Sequence, residues 1–586
     1  MSNYYPPLRD MRFVLQELLQ VSADDTEERL TVDGETLDQI LEAAGRFASE
    51  VLAPLNPIGD RQGCQLTAAG GVETPSGFKA AYQDFTTAGW TALSCLPEYG
   101  GQGLPQFLNN AVYEMLCGAN MAWAAYPGMS HAAYTCIEAN GTPEQKARYL
   151  PKIASGAWAG TMCLTEPHCG TDLGLLRTRA VPQADGTYQL SGTNIFISGG
   201  EQDLTENIVH LVLARIENAP PGVKGISLFI VPKLLQTPQH PIGQINALGC
   251  SSIERKLGIH ANATCTMNFE GSKGWLIGEE NRGLAAMFVM MNHARLAVGV
   301  NAIGLMEAAY QKSLSYAKDR AQGRAPVPSR AGADFIIEHP DVRRMLLTQK
   351  AYVEGARAFA LWAASMTDQD ESARAGDAAE LLSLITPVVK AFCSEVAVEC
   401  ASLAIQVHGG HGYIVDNLVE QHLRDARIIP LYEGANGVQA MDLLGRKVAG
   451  DGGQRLDLYL TKIERFAAYH SAVGEMEVFC RPLKSTTELI RELARELIAS
   501  SKNDPSALGC AATPFLNMMG HVSLAWMWAR MAAIGLGRTG DADPIYAAKV
   551  NTARFYFEKI LPQTAALASE VRAGTTAVMA LPVEAF

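Results

Sequence analysis

Between residues 159 and 281 the chain abandons helical spacing and alternates in short apolar runs, whereas on both sides of that block it repeats as amphipathic helix. The runs at 188–192, 195–198, 208–214, 225–231 and 264–269 have strand length, and Gly, Asn and Pro lie between them. A β block of this size enclosed by helices predicts a mainly α protein with one small β domain. Upstream, Leu37, Ile40, Leu41, Ala44, Phe47, Ala48 and Val51 trace one helix face that ends at Pro54. Segments 78–88, 107–117, 132–140 and 143–154 repeat the theme, with a Gly/Pro cluster at 97–105. Downstream, 284–319, 342–366, 378–406 and 438–448 read as four long antiparallel helices of a bundle. A Gly450-Asp-Gly-Gly453 linker then leads to helical segments at 456–470, 483–500, 515–536 and 546–570. The expected divisions are an extension at 1–34, a helical domain at 35–158, a β domain at 159–281, the bundle at 282–450 and an added helical domain at 451–586.

A chain of 586 residues is too long for one core. Its net charge of −13, with acids dispersed, argues against broad nucleic-acid binding. The added domain carries fourteen Lys and Arg against fourteen Asp and Glu, which suits packing or oligomerisation. Twelve cysteines without a Cys-x-x-Cys pair point to a reducing, cytoplasmic setting. Neither a signal peptide nor an integral membrane segment is expected, and 515–536, which contains His521 and Arg530, reads as a core helix. No Gly-x-Gly-x-x-Gly follows a predicted strand, and neither a Gly-Lys-Ser/Thr loop nor a His-Glu-x-x-His pattern occurs, so a dinucleotide, nucleotide-triphosphate or zincin site is unsupported.

Chemistry concentrates at a few places. Pro430-Leu-Tyr-Glu-Gly-Ala-Asn-Gly437 sets one carboxylate, Glu433, on a tight turn between two helical patterns. Taken alone, a turn glutamate is a solvated surface residue. Met162 to Asp172 combines Thr hydroxyls with a Pro and a Gly, a loop able to offer polar groups to a planar ligand or simply to cap itself. His408 and His411 lack a third metal ligand nearby and read as helix-terminal groups. Cys163 and Cys169 read as structural, and Arg255 with Lys256 as a solvated turn.

Taken together these stretches resemble the acyl-CoA dehydrogenases, flavoproteins with the same helix–β–helix order. The likeness rests on Met162–Asp172, on Gly192-Thr-Asn-Ile-Phe-Ile-Ser-Gly-Gly200, on Tyr316-Ala-Lys-Asp-Arg-Ala-Gln-Gly323, on Gln406-Val-His-Gly-Gly-His-Gly-Tyr413 and on Arg424 to Gly434. Those motifs occur in order over about residues 40 to 450. The resemblance implies an N-terminal helical domain, a β-barrel-like middle domain and a four-helix bundle, with FAD as cofactor and an acyl-CoA as substrate. It implies that Glu433 abstracts the α-proton while hydride passes to flavin N5, giving the trans-2-enoyl-CoA. Thr165 would hydrogen-bond the flavin ring, with Met162 and Leu164 beside it, and Phe196 and Ser198 would face it. Thr171 would sit near the thioester and pantetheine, and Asn292, Arg295, Tyr432 and Gly434 would border the substrate. Arg320, Gln322, Gln406, Gly409 and Gly410 would hold the adenine-dinucleotide part of a flavin bound mainly to the neighbouring subunit.

An α-proton of a thioester is too weak an acid for a carboxylate in water, so enolate character must be stabilised at the carbonyl oxygen. The amide at Glu433 suits that task. Three departures from the family stand out: Phe196 in place of a frequent tryptophan, Ala435 in place of a frequent threonine, and Ala294 where some relatives carry the base. Asn436 is expected to make good the lost threonine hydroxyl toward the flavin phosphates, and Glu433 is left as the matching base. The N-terminal extension and added domain resemble a large bacterial subgroup. The implied substrate is either 3-methylmercaptopropionyl-CoA-like or a medium-to-long fatty acyl-CoA, with an electron-transfer flavoprotein as acceptor and a homodimer as assembly. An acyl-CoA oxidase, and a non-catalytic or nucleic-acid-binding relative on the same scaffold, are the competing readings.

Overall fold

The computed structural model describes residues 4–20, 32–237, 240–368 and 376–586. The chain divides into two compact units. One contains Arg46–Pro105 and Met115–Ala297; the other contains Tyr5–Gly45, Gln106–Glu114 and Val298–Phe586.

The first unit is built on a seven-stranded sheet. Thr264–Ile277 pairs antiparallel with Tyr188–Ser198, which pairs with Arg179–Pro182, and that short strand runs parallel to Asn207–Ile216. Ile226–Pro232 then pairs with both Asn207–Ile216 and Thr264–Ile277, so five strands close into a ring. Closure leaves these strands without a free edge. Trp158–Cys163 and Leu248–Ile253 extend the sheet on either side. The β-barrel-like expectation is therefore met. Inside, Val212, Phe229, Leu190, Met267 and Phe269 pack together, and alternation along Tyr188–Ser198 sends the intervening side chains outward.

Seven strands escape the sequence reading: Gln65–Leu66, Val72–Glu73, Trp158–Cys163, Arg179–Pro182, Leu234–Thr237, His240–Ile245 and Leu248–Ile253. Each is six residues or shorter, and Trp158–Cys163 is buried on both faces, so it has no alternation to read. The helices expected at 107–117 and 132–140 prove to be one, Gln106–Asn140. Its interruption is a single non-helical residue, Asn120, whose side chain accepts from Trp123 N at 3.1 Å and so caps the turn that resumes.

The second unit is helical. Val298 begins its share of Gly283–Asp319, which joins Pro340–Ser365 and Asp377–His408 as the long members of the bundle. The expected fourth long helix is short: Asn436–Met441 runs into a wider-wound turn at Asp442–Val448. The added domain supplies Gln454–His470, Glu477–Ser500, Ala507–Gly537, Pro544–Phe555 and Gln563–Arg572. Ala507–Gly537 is buried on all sides from Met518 to Ala532, and Trp528 Nε1 donates to Ala351 O at 2.9 Å. Gly520 lies so close to Phe392 that a Cβ there would strike the ring. Among the described residues, Gly283–Asp319 and Asp377–Tyr413 are long and apolar enough to cross a membrane; 78% of the apolar window of the second is buried in the protein.

Within the N-terminal extension, residues 8–18 pack into the helical unit. Leu8–Arg12 and Phe13–Leu18 carry Met11, Phe13, Val14 and Leu15, all fully buried. Arg357, buried in the bundle, donates to Asp10, Glu114 (2.6 Å) and Glu307 (2.6 Å). Lys549 of the added domain pairs with Asp10 and with Glu354 (2.9 Å), and Glu354 also pairs with Lys350. Burial works against the charge of Asp10, yet Lys549 and Arg357 outweigh it and hold the carboxyl well below its usual range. At Glu114 burial prevails over Arg357, and the carboxyl is pushed up to about 7.

Candidate functional site

In the first unit the loop after Trp158–Cys163 is pinned from two directions. Thr165 O accepts from Ile195 N at 2.8 Å and from Asn194 Nδ2 at 3.3 Å, which brings the loop to the end of Tyr188–Ser198. Glu166, buried, accepts from Arg177 N (2.9 Å), Thr178 N (2.7 Å) and Thr178 Oγ1 (2.6 Å). The sequence reading passed over Glu166; a lone acid before proline in a hydroxyl-rich loop was its only signal. Asp172 closes the loop by accepting from Gly174 N at 3.0 Å.

These tethers bring Met162, Leu164, Thr165, Phe196 and Ser198 to one end of the sheet. Met162, Leu164, Thr165 and Ser198 are half-buried, while Thr171 is exposed. Phe196 is 58% exposed with a φ of 61°, a left-handed conformation that costs a side-chain-bearing residue about 1–2 kcal/mol. An exposed aromatic on strained backbone, flanked by hydroxyls and apolar side chains, fits the edge and face of a planar heteroaromatic ring.

Along Gly283–Asp319, Phe288, Asn292 and Arg295 share a face. Arg295 is buried; its Nη1 lies 3.4 Å from Asn292 Oδ1 and its guanidinium 5.9 Å from the Phe288 ring centre. The rings of His131 and His293 lie 4.9 Å apart, and burial holds them down to about 3 and about 4, so both are neutral.

Glu166, His168 and Cys169 bring one potential ligand atom each within 4.8 Å of one another. The Glu166 oxygens are already taken by three donors, and His168 Nε2 bonds Leu175 O at 3.0 Å, so the group is a folded turn. All described cysteines are free, and all but Cys64 and Cys510 are buried. Arg255 is exposed as expected, but Lys256 is not merely solvated: its ammonium donates to Asn262 O at 2.8 Å.

In the second unit the residues expected at a dinucleotide fall on two neighbouring elements. Tyr316 stacks on His408 at 4.3 Å between ring centres, and its hydroxyl lies 2.8 Å from His411 Nδ1. This brings the end of Gly283–Asp319, with exposed Arg320 and Gln322, beside the turn holding exposed Gln406, Gly409 and Gly410. Arg320 Nη2 lies 3.4 Å from Gln322 Oε1. A Cβ added at Gly409 or Gly410 would meet nothing within 4 Å, so the turn presents open backbone able to admit a phosphate-bearing chain. His408 Nδ1 lies 2.8 Å from Ala404 O, the helix-terminal role expected of it.

Glu433 lies on its turn with a φ of 55°, followed by Gly434 at 86°. Among the described residues only six non-glycines have positive φ, and Phe196 and Glu433 are two of them. Pro430 O accepts from Asn436 N at 3.0 Å and closes the loop. Tyr432, just before the glutamate, has its hydroxyl 3.3 Å from Asn301 Nδ2. Asn436, expected to offer its amide to the flavin, has another task. Its oxygen accepts from Lys390 Nζ (2.9 Å) and Ser394 Oγ (3.2 Å), and its nitrogen donates to Glu395 (2.6 Å), Ser394 (3.0 Å) and Ala391 O (3.2 Å). It rivets the turn to Asp377–His408.

The acyl-CoA dehydrogenase N-terminal, middle and C-terminal domain models match residues 34–157, 161–272 and 281–448, and an acetyl-CoA dehydrogenase C-terminal-like model matches 459–582. The chain is 42% identical to a 3-methylmercaptopropionyl-CoA dehydrogenase of Ruegeria pomeroyi over 97% of its length and 98% of that protein's. It is 35% identical to a broad-specificity linear acyl-CoA dehydrogenase of Mycobacterium tuberculosis, with 96% of each covered. Its fold matches that of Caenorhabditis elegans ACDH-11, solved with C11-CoA, at a TM-score of 0.79 and 19% identity, over 98% of this chain and 95% of the other.

Proposed function

The chain belongs to the acyl-CoA dehydrogenase family of oxidoreductases, and from that premise we propose that it converts an acyl-CoA thioester to the trans-2-enoyl-CoA with Glu433 as the base. The observation that carries this reading is the turn: a half-buried carboxylate on a left-handed residue, closed on itself and riveted to a long helix. Such a residue aims one side chain with little freedom, as proton abstraction at a fixed carbon requires. The Glu433 carboxylate takes the α-proton. The thioester oxygen gains negative charge as the proton leaves, and the Glu433 N–H is the donor assigned to it.

Met162, Leu164, Thr165, Phe196 and Ser198 would hold the ring system of FAD, and Arg320, Gln322, Gln406, Gly409 and Gly410 the adenine-dinucleotide portion of a flavin bound mainly to the neighbouring subunit. What FAD supplies when bound is acceptance of the β-hydrogen as hydride at N5. Thr171 attends the thioester and pantetheine, while Asn292, Arg295, Tyr432 and Gly434 border the acyl group. A flavin shared in this way makes a homodimer the smallest complete assembly, and electrons leave to an electron-transfer flavoprotein.

The acyl group is either 3-methylmercaptopropionyl-like, as in the Ruegeria relative, or a longer linear chain, as in the mycobacterial one. Anaerobic bleaching of the yellow protein by a panel of acyl-CoAs tests cofactor, reaction and chain length together. No bleaching with any member of the panel refutes the proposal, and rapid reoxidation by oxygen replaces the dehydrogenase with an oxidase.

A further inference from the structure

Resting on the reading of Glu433 as the base, we infer that Gln439 is its positioning residue. Gln439 belongs to Asn436–Met441 and is wholly buried. Its Nε2 lies 3.3 Å from the carbonyl oxygen of Glu433 and 3.4 Å from that of Gly434. Two consecutive left-handed residues curl the main chain so that both carbonyls converge on this single amide. With the peptide plane after Glu433 held, the direction of its Cα–Cβ bond is set, and with it the aim of the carboxylate.

The opposite end of the side chain shows why this is more than packing. Gln439 Oε1 is buried and has no hydrogen-bond partner among the described residues. A leucine of similar size would avoid that unsatisfied oxygen, so the fold by itself does not call for an amide here. What the amide adds is a pair of donors for a backbone conformation that a glutamate adopts reluctantly. Asn436 and Lys390 anchor the same turn from the other side, and the residue they leave to be fixed is the glutamate itself.

The test uses the FAD-loaded enzyme and an acyl-CoA that bleaches it. In Gln439→Leu, anaerobic bleaching should slow by roughly tenfold to a hundredfold, the scale of a small misplacement of a reacting group. Affinity for the enoyl-CoA product should stay near that of the wild type. The isotope effect with α-deuterated substrate should rise, because proton removal becomes more limiting. Gln439→Glu supplies the conservative rescue: a buried carboxyl keeps its proton to high pH and can donate, so activity should persist at low pH and fall away as pH rises, a limb that the wild type lacks. Wild-type bleaching and isotope effect in Gln439→Leu would overturn the inference, as would slower bleaching with an unchanged isotope effect. If the leucine variant does not fold, a Gln439→Glu pH profile without the added limb overturns it instead. Bleaching by Glu433→Gln would count against the base assignment, a result separable from all of these.

Discussion

Two groups of carboxylates in the helical unit are held by opposite means. Around Arg357, the acids Asp10, Glu114, Glu307 and Glu354 are fixed through their charged oxygens by Arg357, Lys549 and Lys350. At the turn, Glu433 is fixed through its main chain: by left-handed φ, by the Pro430–Asn436 closure and by the Gln439 amide on its carbonyl. An acid clamped by guanidinium and ammonium groups holds elements together. An acid aimed by its backbone has its direction set by the main chain that carries it. The contrast separates carboxylates that build this protein from the one assigned to act.

The largest expected effect is on the acting side. Glu433→Gln should bind FAD and unfold like the wild type, yet lose about 10³-fold or more in bleaching rate, since it removes both the base and its charge. Arg357→Met should do the reverse. It strands Glu114 and Glu307 in the interior and leaves Asp10 to Lys549 alone, so denaturant unfolding should report a loss of about 3–5 kcal/mol, while bleaching per folded molecule stays close to normal. A bleaching defect in Arg357→Met larger than its folding defect would break the separation.

Gly520→Ala asks whether packing beside the cluster is equally exacting. Its new methyl meets the Phe392 ring, and thermal unfolding should register about 1–3 kcal/mol of destabilisation despite the better helix former. The smallest effect is at Glu114. Its folded value of about 7 lies above the 4.5 of a free glutamate, so the stability it contributes is fully present below 4.5 and is lost as pH rises through 7. Glu114→Gln should cost less than about 1 kcal/mol near pH 6 and should flatten the decline in stability between pH 4.5 and about 7. An unchanged slope in that variant would place the titrating group elsewhere.

Much of the architecture was legible because it rests on periodicity: the long helices, the β block and its turns all carry patterns that local physics demands. Of the candidate site, the sequence carries the type and order of residues; the contact between Thr165 and Ile195, next to Phe196, comes only with the fold. What escaped reading was whatever depends on distant partners. Asp10, Glu114 and Arg357 look like ordinary surface charges until the fold brings them together; an arginine in the otherwise apolar run 355–364 was the one hint. Asn436 was given a ligand because its helix-side partners Lys390 and Ser394 lie more than forty positions away. Gln439 was missed for a related reason, since an amide in a helix has no preferred target until the neighbouring φ angles are known.

The pairing of Asp10 with Lys549 also bears on how the polypeptide is made. A ribosome delivers the first of these residues long before the last, and domains made of contiguous chain can mature during synthesis. The strand ring, complete by residue 277, has all its partners early. The helical unit does not: its opening segment, where Phe13 packs on Tyr546 and Asp10 pairs with Lys549, cannot complete its packing until the far end of the chain emerges. Late translation is therefore the interval in which this protein most needs a chaperone, and shortening the C-terminus should expose the start of the molecule before it disturbs the middle.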